Sequence, residues 1–152
     1  MKEAETDVEK RVYTSSEEET EACGAELATA LSPGSVVALY GDLGAGKTAF
    51  VRGLARGLGI RESVSSPTFT IVNEYPGSVP LFHFDMYRLR DERELFDIGW
   101  EDYLDREGVC ALEWSERVEG AIGPEAVRVT LRRVDDTHRE ILISRKEEGG
   151  PC

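Results

Sequence analysis

The chain has 152 residues, of which 40% are hydrophobic and 32% charged, and its formal net charge is −12. This length and balance predict one globular domain with its own core, and the negative charge disfavours direct nucleic-acid binding as the main task. No apolar run is long enough to span a membrane, and the polar, acidic start does not resemble a secretory signal, so we expect a cytoplasmic protein without membrane contact.

The N-terminal part of the sequence predicts a disordered extension followed by a strand and a helix. We expect residues 1–10 to be disordered, a single domain to cover residues 11–144, and a flexible tail to cover residues 145–152. Residues 11–14 are typical of a short strand. Ser15 or Ser16 then caps a helix, Glu18 or Glu19 completes a capping box, and Pro33-Gly34 ends the helix.

The next segment carries the most informative motif of the chain. Residues 35–40 form a short apolar run that is typical of a buried parallel strand, and residues 50–58 repeat apolar side chains at helical spacing. Between them, G-x-x-x-x-G-K-[ST] is matched by Gly41, Asp42, Leu43, Gly44, Ala45, Gly46, Lys47 and Thr48. Such a loop holds phosphates with backbone N–H groups, while its lysine reaches the β- and γ-phosphates and its threonine ligates Mg²⁺.

The lysine content of the chain bears on the nucleotide. Lys47 is the only lysine between Arg11 and Arg145. The guanine-reading motif N-K-x-D of regulatory GTPases therefore cannot occur in that region. We expect ATP, with Mg²⁺, to be the nucleotide.

Two further runs predict a β-hairpin after the phosphate-loop helix. Residues 69–75 and 81–88 read as strands joined by a turn at residues 76–78. In the second strand, Phe82, Phe84 and Met86 share one face, and His83, Asp85 and Tyr87 share the other. The polar face would place Asp85 on the metal or on the attacking water, but an ordinary half-exposed strand explains the same pattern.

The C-terminal half predicts short helices, a buried strand and a second hairpin. Residues 91–97 and 100–105 read as helices, and residues 115–120 as a helical turn. Residues 108–114 read as a buried strand that ends near Glu113, where phosphate-loop enzymes carry a second, Mg²⁺-linked carboxylate; a strand ending in a surface charge is the alternative. Residues 127–134 and 138–144 predict a final antiparallel hairpin.

Together these elements indicate an α/β fold, a P-loop NTPase-like three-layer arrangement with helices on both faces of a mixed sheet that includes antiparallel hairpins. Two more residues are candidates for the site. Thr68 would sense the γ-phosphate from a loop, although a loop threonine is more often a turn or capping residue. Arg139 would approach the nucleotide from the last hairpin, although most arginines at such turns are solvated.

Four segments together resemble the TsaE family, the small ATPases of bacterial tRNA threonylcarbamoyladenosine biosynthesis. They are residues 40–48, Ser66-Pro67-Thr68-Phe69, His83-Phe84-Asp85-Met86-Tyr87-Arg88 and Glu113-Trp114. The phosphate loop alone is generic, whereas His-x-Asp-x-Tyr-Arg followed by Glu-Trp is far more specific. The resemblance covers about residues 13–144.

The resemblance implies roles for individual residues. Mg²⁺ would be held by Thr48 and Glu113, and Asp85 would serve hydrolysis, either beside or on the metal. Thr68 would lie in a switch-like loop.

The resemblance also implies that two other residues lie at the nucleotide. Arg139 would lie near the nucleotide in the late hairpin, and Glu17 would lie near the adenine side.

The resemblance further implies an activity that depends on partners. Members of the family act with the TsaD and TsaB proteins, and TsaD transfers the threonylcarbamoyl group to tRNA. The ATPase would be weak alone, would be activated by these partners, and would meet tRNA only indirectly through the complex. A small-molecule kinase that uses the same loop and an ATP-dependent switch that does not hydrolyse ATP are the alternatives.

Overall fold

The computed structural model describes residues 6–42, 44–67 and 71–147. In these ranges the strands are β1 (Thr6–Thr14), β2 (Val36–Tyr40), β3 (Val72–Tyr75), β4 (Leu81–Asp85), β5 (Val109–Glu113), β6 (Val127–Arg133) and β7 (Arg139–Glu147). The α-helices are α1 (Glu17–Ala28), α2 (Lys47–Gly57), α3 (Glu92–Asp97) and α4 (Trp100–Asp105), and Ser115–Ala121 forms a 3₁₀ helix.

The strands form one mixed sheet in the order β1-β7-β6-β2-β5-β4-β3. Its centre, from β6 through β2 and β5 to β4, is parallel. Antiparallel strands flank it, with β3 beside β4 on one side and β7 and β1 beyond β6 on the other. Both predicted hairpins are confirmed. Because the parallel strands end at one edge, the loops after β2, β4 and β5 meet there.

Helices cover both faces of the sheet, which confirms the three-layer α/β prediction. On one face α1 and α2 pack on buried residues of β2, β6 and β7, such as Leu39, Val129 and Ile141. On the other face α3, α4 and the 3₁₀ helix pack around Phe84 and Trp100. None of the helices in the described ranges has the length and apolar character that a bilayer crossing requires.

The helices α1 and α2 approach each other so closely that their backbones touch. A Cβ atom on Gly53 of α2 would lie 1.9 Å from the carbonyl oxygen of Glu21 in α1. A Cβ atom on Gly24 of α1 would lie 2.2 Å from the carbonyl oxygen of Phe50 in α2. Both distances are far below a van der Waals contact, so a residue without a side chain is required at each position.

The outer strands are longer than the sequence suggested. β1 begins at Thr6, inside the segment that was expected to be disordered, and β7 continues to Glu147, inside the expected tail. In the register of the two strands Thr6 lies opposite Glu147. Pairing gives these polar segments partners for their backbone N–H and C=O groups, which side-chain composition alone does not reveal.

The strand β4 is shorter than predicted. It ends at Asp85, and the Tyr87 amide then donates a hydrogen bond of 2.9 Å to the Asp85 carboxylate, which turns the chain. Tyr87 therefore does not continue the polar face of β4, contrary to the prediction, and its side chain is exposed. The strand predicted at residues 69–75 is observed as β3 from Val72, while residues 68–70 lie outside the described ranges.

Candidate functional site

A cleft of about 740 Å³ opens where the parallel strands end. The phosphate loop forms one wall, the ends of β4 and β5 form the floor, and the start of α1 and the β6–β7 turn form the rim. Its lining residues are Ser15, Ser16, Glu17, Thr20, Gly44, Ala45, Gly46, Lys47, Thr48, Ala49, Arg52, Ser66, Asp85, Glu113, Trp114, Asp136, Thr137 and Arg139. Most of the residues predicted for a nucleotide site therefore meet in one place.

The phosphate loop leads directly into α2. Gly46 precedes the helix with φ of +101°, a left-handed conformation that residues with a side chain rarely adopt. Gly46, Lys47 and Thr48 line the cleft, so the N-terminus of α2 and its backbone N–H groups face it. A helix N-terminus in this position can bind an anion. Gly41 and Asp42 do not line the cleft, and Leu43 lies outside the described residues.

The side chain of Lys47 is folded back onto the protein. Its Nζ donates a hydrogen bond of 2.5 Å to the carbonyl oxygen of Gly41 and lies 3.5 Å from the centroid of the Trp114 ring. Burial lowers the pKa of this ammonium, while the carboxylates around it, Glu113 first among them, act in the opposite direction.

The hydroxyl of Thr48 and the carboxylate of Glu113 are in contact. Thr48 Oγ1 donates to Glu113 Oε2 at 3.1 Å, and Ser66 Oγ lies 2.8 Å from Thr48 Oγ1. In the parallel register Asp85 is the partner of Glu113, so two carboxylates end neighbouring strands. Of these two candidates for the metal, the structure brings Glu113 into contact with Thr48, while Asp85 accepts the Tyr87 amide and lines the same cleft.

The donors at this point fit Mg²⁺. A carboxylate and a hydroxyl are hard oxygen ligands, and Mg²⁺ is usually bound by one or two carboxylates together with phosphates and water. Within residues 6–42, 44–67 and 71–147 no group of three or more His, Cys, Asp or Glu side chains could hold a metal ion by itself.

Sequence reasoning left the role of His83 open, and the structure pairs it with Glu113. The imidazole is fully buried, and its Nε2 lies 2.5 Å from Glu113 Oε2. The alternation along β4 correctly predicted that His83 shares a face with Asp85. It could not identify Glu113 as the partner, because the neighbour of β4 in the sheet is not encoded in local periodicity.

The structure places Glu17 and Arg139 at the rim of the cleft, and their contact with a nucleotide stays a prediction. The Arg139 guanidinium donates to the carbonyl oxygens of Asp135 at 2.8 Å and His138 at 3.0 Å. The turn that carries it is closed by the Asp135 carboxylate, which accepts the backbone amides of Thr137 and His138. The His138 side chain and these amides hold the pKa of Asp135 far below its usual range.

Other predicted or overlooked residues have different outcomes. Thr68 lies outside the described residues, so its switch role stays a prediction. Arg52 and Ser66 were missed. Arg52 follows Thr48 by one helical turn and donates to Glu21 at 3.2 Å, and helical spacing from the phosphate loop could have identified it. Ser66 belongs to the Ser-Pro-Thr-Phe segment, which was noted only for its threonine.

Comparisons with known proteins agree with this geometry. The model of the family "Threonylcarbamoyl adenosine biosynthesis protein TsaE" matches residues 14–141. The tRNA threonylcarbamoyladenosine biosynthesis protein TsaE of Bacillus subtilis is 46% identical over 128 residues, which cover 84% of this chain and 80% of that protein. The Treponema pallidum protein of the same name is 43% identical over 134 residues, 88% of this chain and 99% of that protein.

A solved structure has the same fold. The crystal structure of Bacillus subtilis YdiB superposes with a TM-score of 0.76 at 36% sequence identity, covering 97% of this chain and 89% of that one. The region matched by the family model includes the phosphate loop, the ends of β4 and β5, and the last hairpin as far as the start of β7. On these similarities, the chain belongs to the TsaE family of threonylcarbamoyladenosine biosynthesis proteins.

Proposed function

We propose that the protein is a Mg²⁺-dependent ATPase that supports formation of threonylcarbamoyladenosine in tRNA by driving turnover of a complex with TsaD and TsaB proteins. One observation carries the ATPase part of the proposal. The hydroxyl of Thr48 contacts the carboxylate of Glu113 directly beside the N-terminus of α2, which is where a phosphate and its cation are held together in phosphate-loop enzymes. Family membership supports the tRNA-modification part.

Different residues of the cleft would bind the phosphates and the metal ion. The amides at the start of α2 would receive the phosphates, and Lys47 would turn from the Trp114 ring towards the β- and γ-phosphates. Thr48 and Glu113 would hold Mg²⁺. When bound, Mg²⁺ neutralises charge on the phosphate oxygens and stabilises the charge that develops during phosphoryl transfer.

Asp85 is the residue we propose for hydrolysis. Its carboxylate stands at the end of β4 beside that of Glu113 and is fixed by the Tyr87 amide at 2.9 Å. From this position Asp85 would orient the attacking water and accept its proton. Thr68, by the family resemblance, would add contact with the γ-phosphate.

Activation by partners is supported by the arginines of the cleft. Arg52 and Arg139 line it, and both guanidiniums are hydrogen-bonded to protein acceptors, Arg52 to Glu21 and Arg139 to the turn carbonyls. A guanidinium directed at the transferring phosphate typically accelerates phosphoryl transfer by about 10³- to 10⁵-fold. We therefore expect slow hydrolysis by the protein alone and faster hydrolysis in the complex.

The charge of the protein supports an indirect relation to tRNA. A net charge of −12 opposes close approach to a phosphate backbone, whereas contact through partner proteins does not require a basic surface. The proposed role places the protein in the cytoplasm together with tRNA and the two partners.

The test is ATP hydrolysis by the protein alone and after addition of TsaD and TsaB proteins from the same organism, with Lys47→Ala as the control. Stimulation that is absent in the variant would support the proposal. Transfer of phosphate to an added small metabolite would identify a kinase. Stimulated tRNA modification without phosphate release would identify a switch that binds ATP without hydrolysing it.

A further inference from the structure

We propose that His83 is a positioning residue that fixes the Glu113 carboxylate for the metal ion. The proposal rests on the Mg²⁺-nucleotide function above, but it concerns a different residue, which does not itself touch the nucleotide or the metal. Its basis is a hydrogen bond inside the protein, between a fully buried imidazole and a carboxylate that is 5% exposed.

The strand register produces this pair. β4 and β5 are parallel, and His83 lies opposite Ala111, two residues before Glu113 on the same face of the sheet. The imidazole thereby reaches the carboxylate, with Nε2 2.5 Å from Oε2. Thr48 approaches the same oxygen from the phosphate loop at 3.1 Å. Oε2 of Glu113 is thus contacted by both His83 and Thr48.

Hydrogen-bonding rules assign the proton. An ionised carboxylate only accepts, so the hydrogen of this bond is carried by Nε2 of His83. Nδ1 is buried and has no hydrogen-bond partner among the residues that the structure describes. The Nε2–H group therefore donates to Glu113 and orients its carboxylate, which stays available to a cation.

The hydrogen bond from His83 would hold the Glu113 side chain in one conformation before the metal ion binds. A glutamate side chain has several rotamers, and restricting them at the moment of metal binding costs free energy. A donor that is already fixed in the sheet removes part of this cost. Partners that orient metal ligands in this way typically contribute about 10- to 100-fold to metal affinity.

The experiment measures binding of Mn²⁺, a probe for Mg²⁺, to the protein in the presence of ADP by electron paramagnetic resonance. We expect His83→Phe to raise the Mn²⁺ dissociation constant by about 10- to 100-fold. We expect His83→Gln to stay within about threefold of the wild type, because its amide can donate from near the Nε2 position. ADP affinity measured in EDTA should be unchanged in both variants, since His83 is not among the described residues that line the cleft.

Three controls keep the result interpretable. His138→Gln changes the other histidine of the chain, which is exposed in the β6–β7 turn, and should leave Mn²⁺ binding unchanged. In a Glu113→Gln background, His83→Phe should cause no further loss of Mn²⁺ affinity. If the Phe variant does not give a cooperative thermal transition, His83→Asn, whose shorter amide falls short of Glu113, replaces it.

The outcomes separate the two proposals. Failure of the wild type to bind Mn²⁺ with ADP would overturn the proposed Mg²⁺-nucleotide function itself. Tight binding by the wild type with the same affinity in His83→Phe would overturn the positioning role alone. An equal loss of Mn²⁺ affinity in His83→Phe and His83→Gln would also overturn the positioning role, because the loss would then follow from altered packing and not from the missing donor.

Discussion

The Lys47 ammonium lies 3.5 Å from the centroid of the Trp114 ring, so the phosphate-loop lysine and the residue after β5 are in direct contact. Trp114 has φ of +60°, which is uncommon for a residue with a side chain, and this backbone turn directs the ring at the loop. A cation over an indole ring is stabilised by about 0.5–2 kcal/mol. In the proposed nucleotide complex we expect the lysine to exchange this contact for a phosphate.

This contact predicts an optical signal for nucleotide binding. If ADP or ATP binds as proposed, the lysine would move towards the phosphates and the surroundings of Trp114 would change. We expect the tryptophan emission to change with added nucleotide and to saturate, and a fluorescence titration would check it.

The other tryptophan provides the control for that titration. Trp100 is buried in the core on the opposite face of the sheet, so Trp100→Phe should keep the signal and Trp114→Phe should lose it. An unchanged signal in Trp114→Phe would show that the lysine does not report on occupancy.

A second prediction concerns Asp85. Replacing it with Asn removes the proposed proton acceptor but keeps size and polarity. We expect kcat of the partner-stimulated ATPase to fall by about 10²-fold or more, since general-base catalysis typically contributes about 10²- to 10⁴-fold. The dissociation constant for ADP should stay within about threefold, because Asp85 does not belong to the phosphate loop.

The matched control for Asp85 is Asp136→Asn. Asp136 lines the same cleft from the β6–β7 turn, where its carboxylate pairs with Arg133. Asp136→Asn removes one negative charge from the cleft, as Asp85→Asn does, but Asp136 does not end a strand next to Glu113. If both variants lost the same activity, the effect would be one of charge in the cleft and not of proton transfer by Asp85.

A third prediction concerns acid stability. The pKa of Asp135 is depressed in the folded protein by His138 and the turn amides, so its ionised form stabilises the fold. This contribution is fully present above the ordinary carboxyl pKa of about 3.8 and is lost progressively as the pH falls from there through the lower pKa of the folded state. Melting temperatures from about pH 7 to pH 3 should show a gap between wild type and Asp135→Asn that begins to narrow below about pH 4. A gap of constant size would contradict the assignment.

A fourth prediction concerns the contact between α1 and α2. A methyl group at Gly53 would lie 1.9 Å from the Glu21 carbonyl oxygen, so Gly53→Ala must separate the helices. Overpacking of this kind costs about 1–3 kcal/mol or more. For a domain of this size we expect the melting temperature to fall by roughly 4–10 °C, measured by circular dichroism.

The control for Gly53 is Gly77→Ala, in the β3–β4 turn. Its added methyl group would meet the side chain of Ile60 at 3.3 Å, which a small adjustment can relieve. Equal destabilisation by the two variants would show that the close approach of α1 and α2 is not the cause.

The parts of the structure that the sequence predicted are those encoded locally. The phosphate loop at residues 41–48 was recognised from its glycines and lysine, which are the residue types that surround phosphates. The alternation of side chains along β4 correctly put Phe84 and Asp85 on opposite faces of the sheet. The two hairpins followed from turn residues between alternating runs. The predicted limits of β1 and β7 were wrong. These limits depend on pairing between the two ends of the chain, where Thr6 lies opposite Glu147, and local sequence does not encode that pairing.

The contacts within the site were less predictable for the same reason. His83 and Glu113 are separated by thirty positions in the sequence, and only the neighbourhood of β4 and β5 brings them together. Likewise, nothing local indicates that Lys47 rests on Trp114 or that Ser66 meets Thr48. The sequence identified residues with suitable chemistry, while the order of strands decided which of them touch.

The backbone contact between α1 and α2 fixes one side of the cleft. Gly24 and Gly53 bring the backbones of the two helices into contact, so we expect the rim at Ser16 and the phosphate loop at Gly46 to move together. If the cleft binds a nucleotide as proposed, we expect it to open and close by movement of the opposite side, the segment of Ser66 and the turn before Arg139. A partner protein that contacted that side alone would then change the rate of nucleotide release without displacing the phosphate loop.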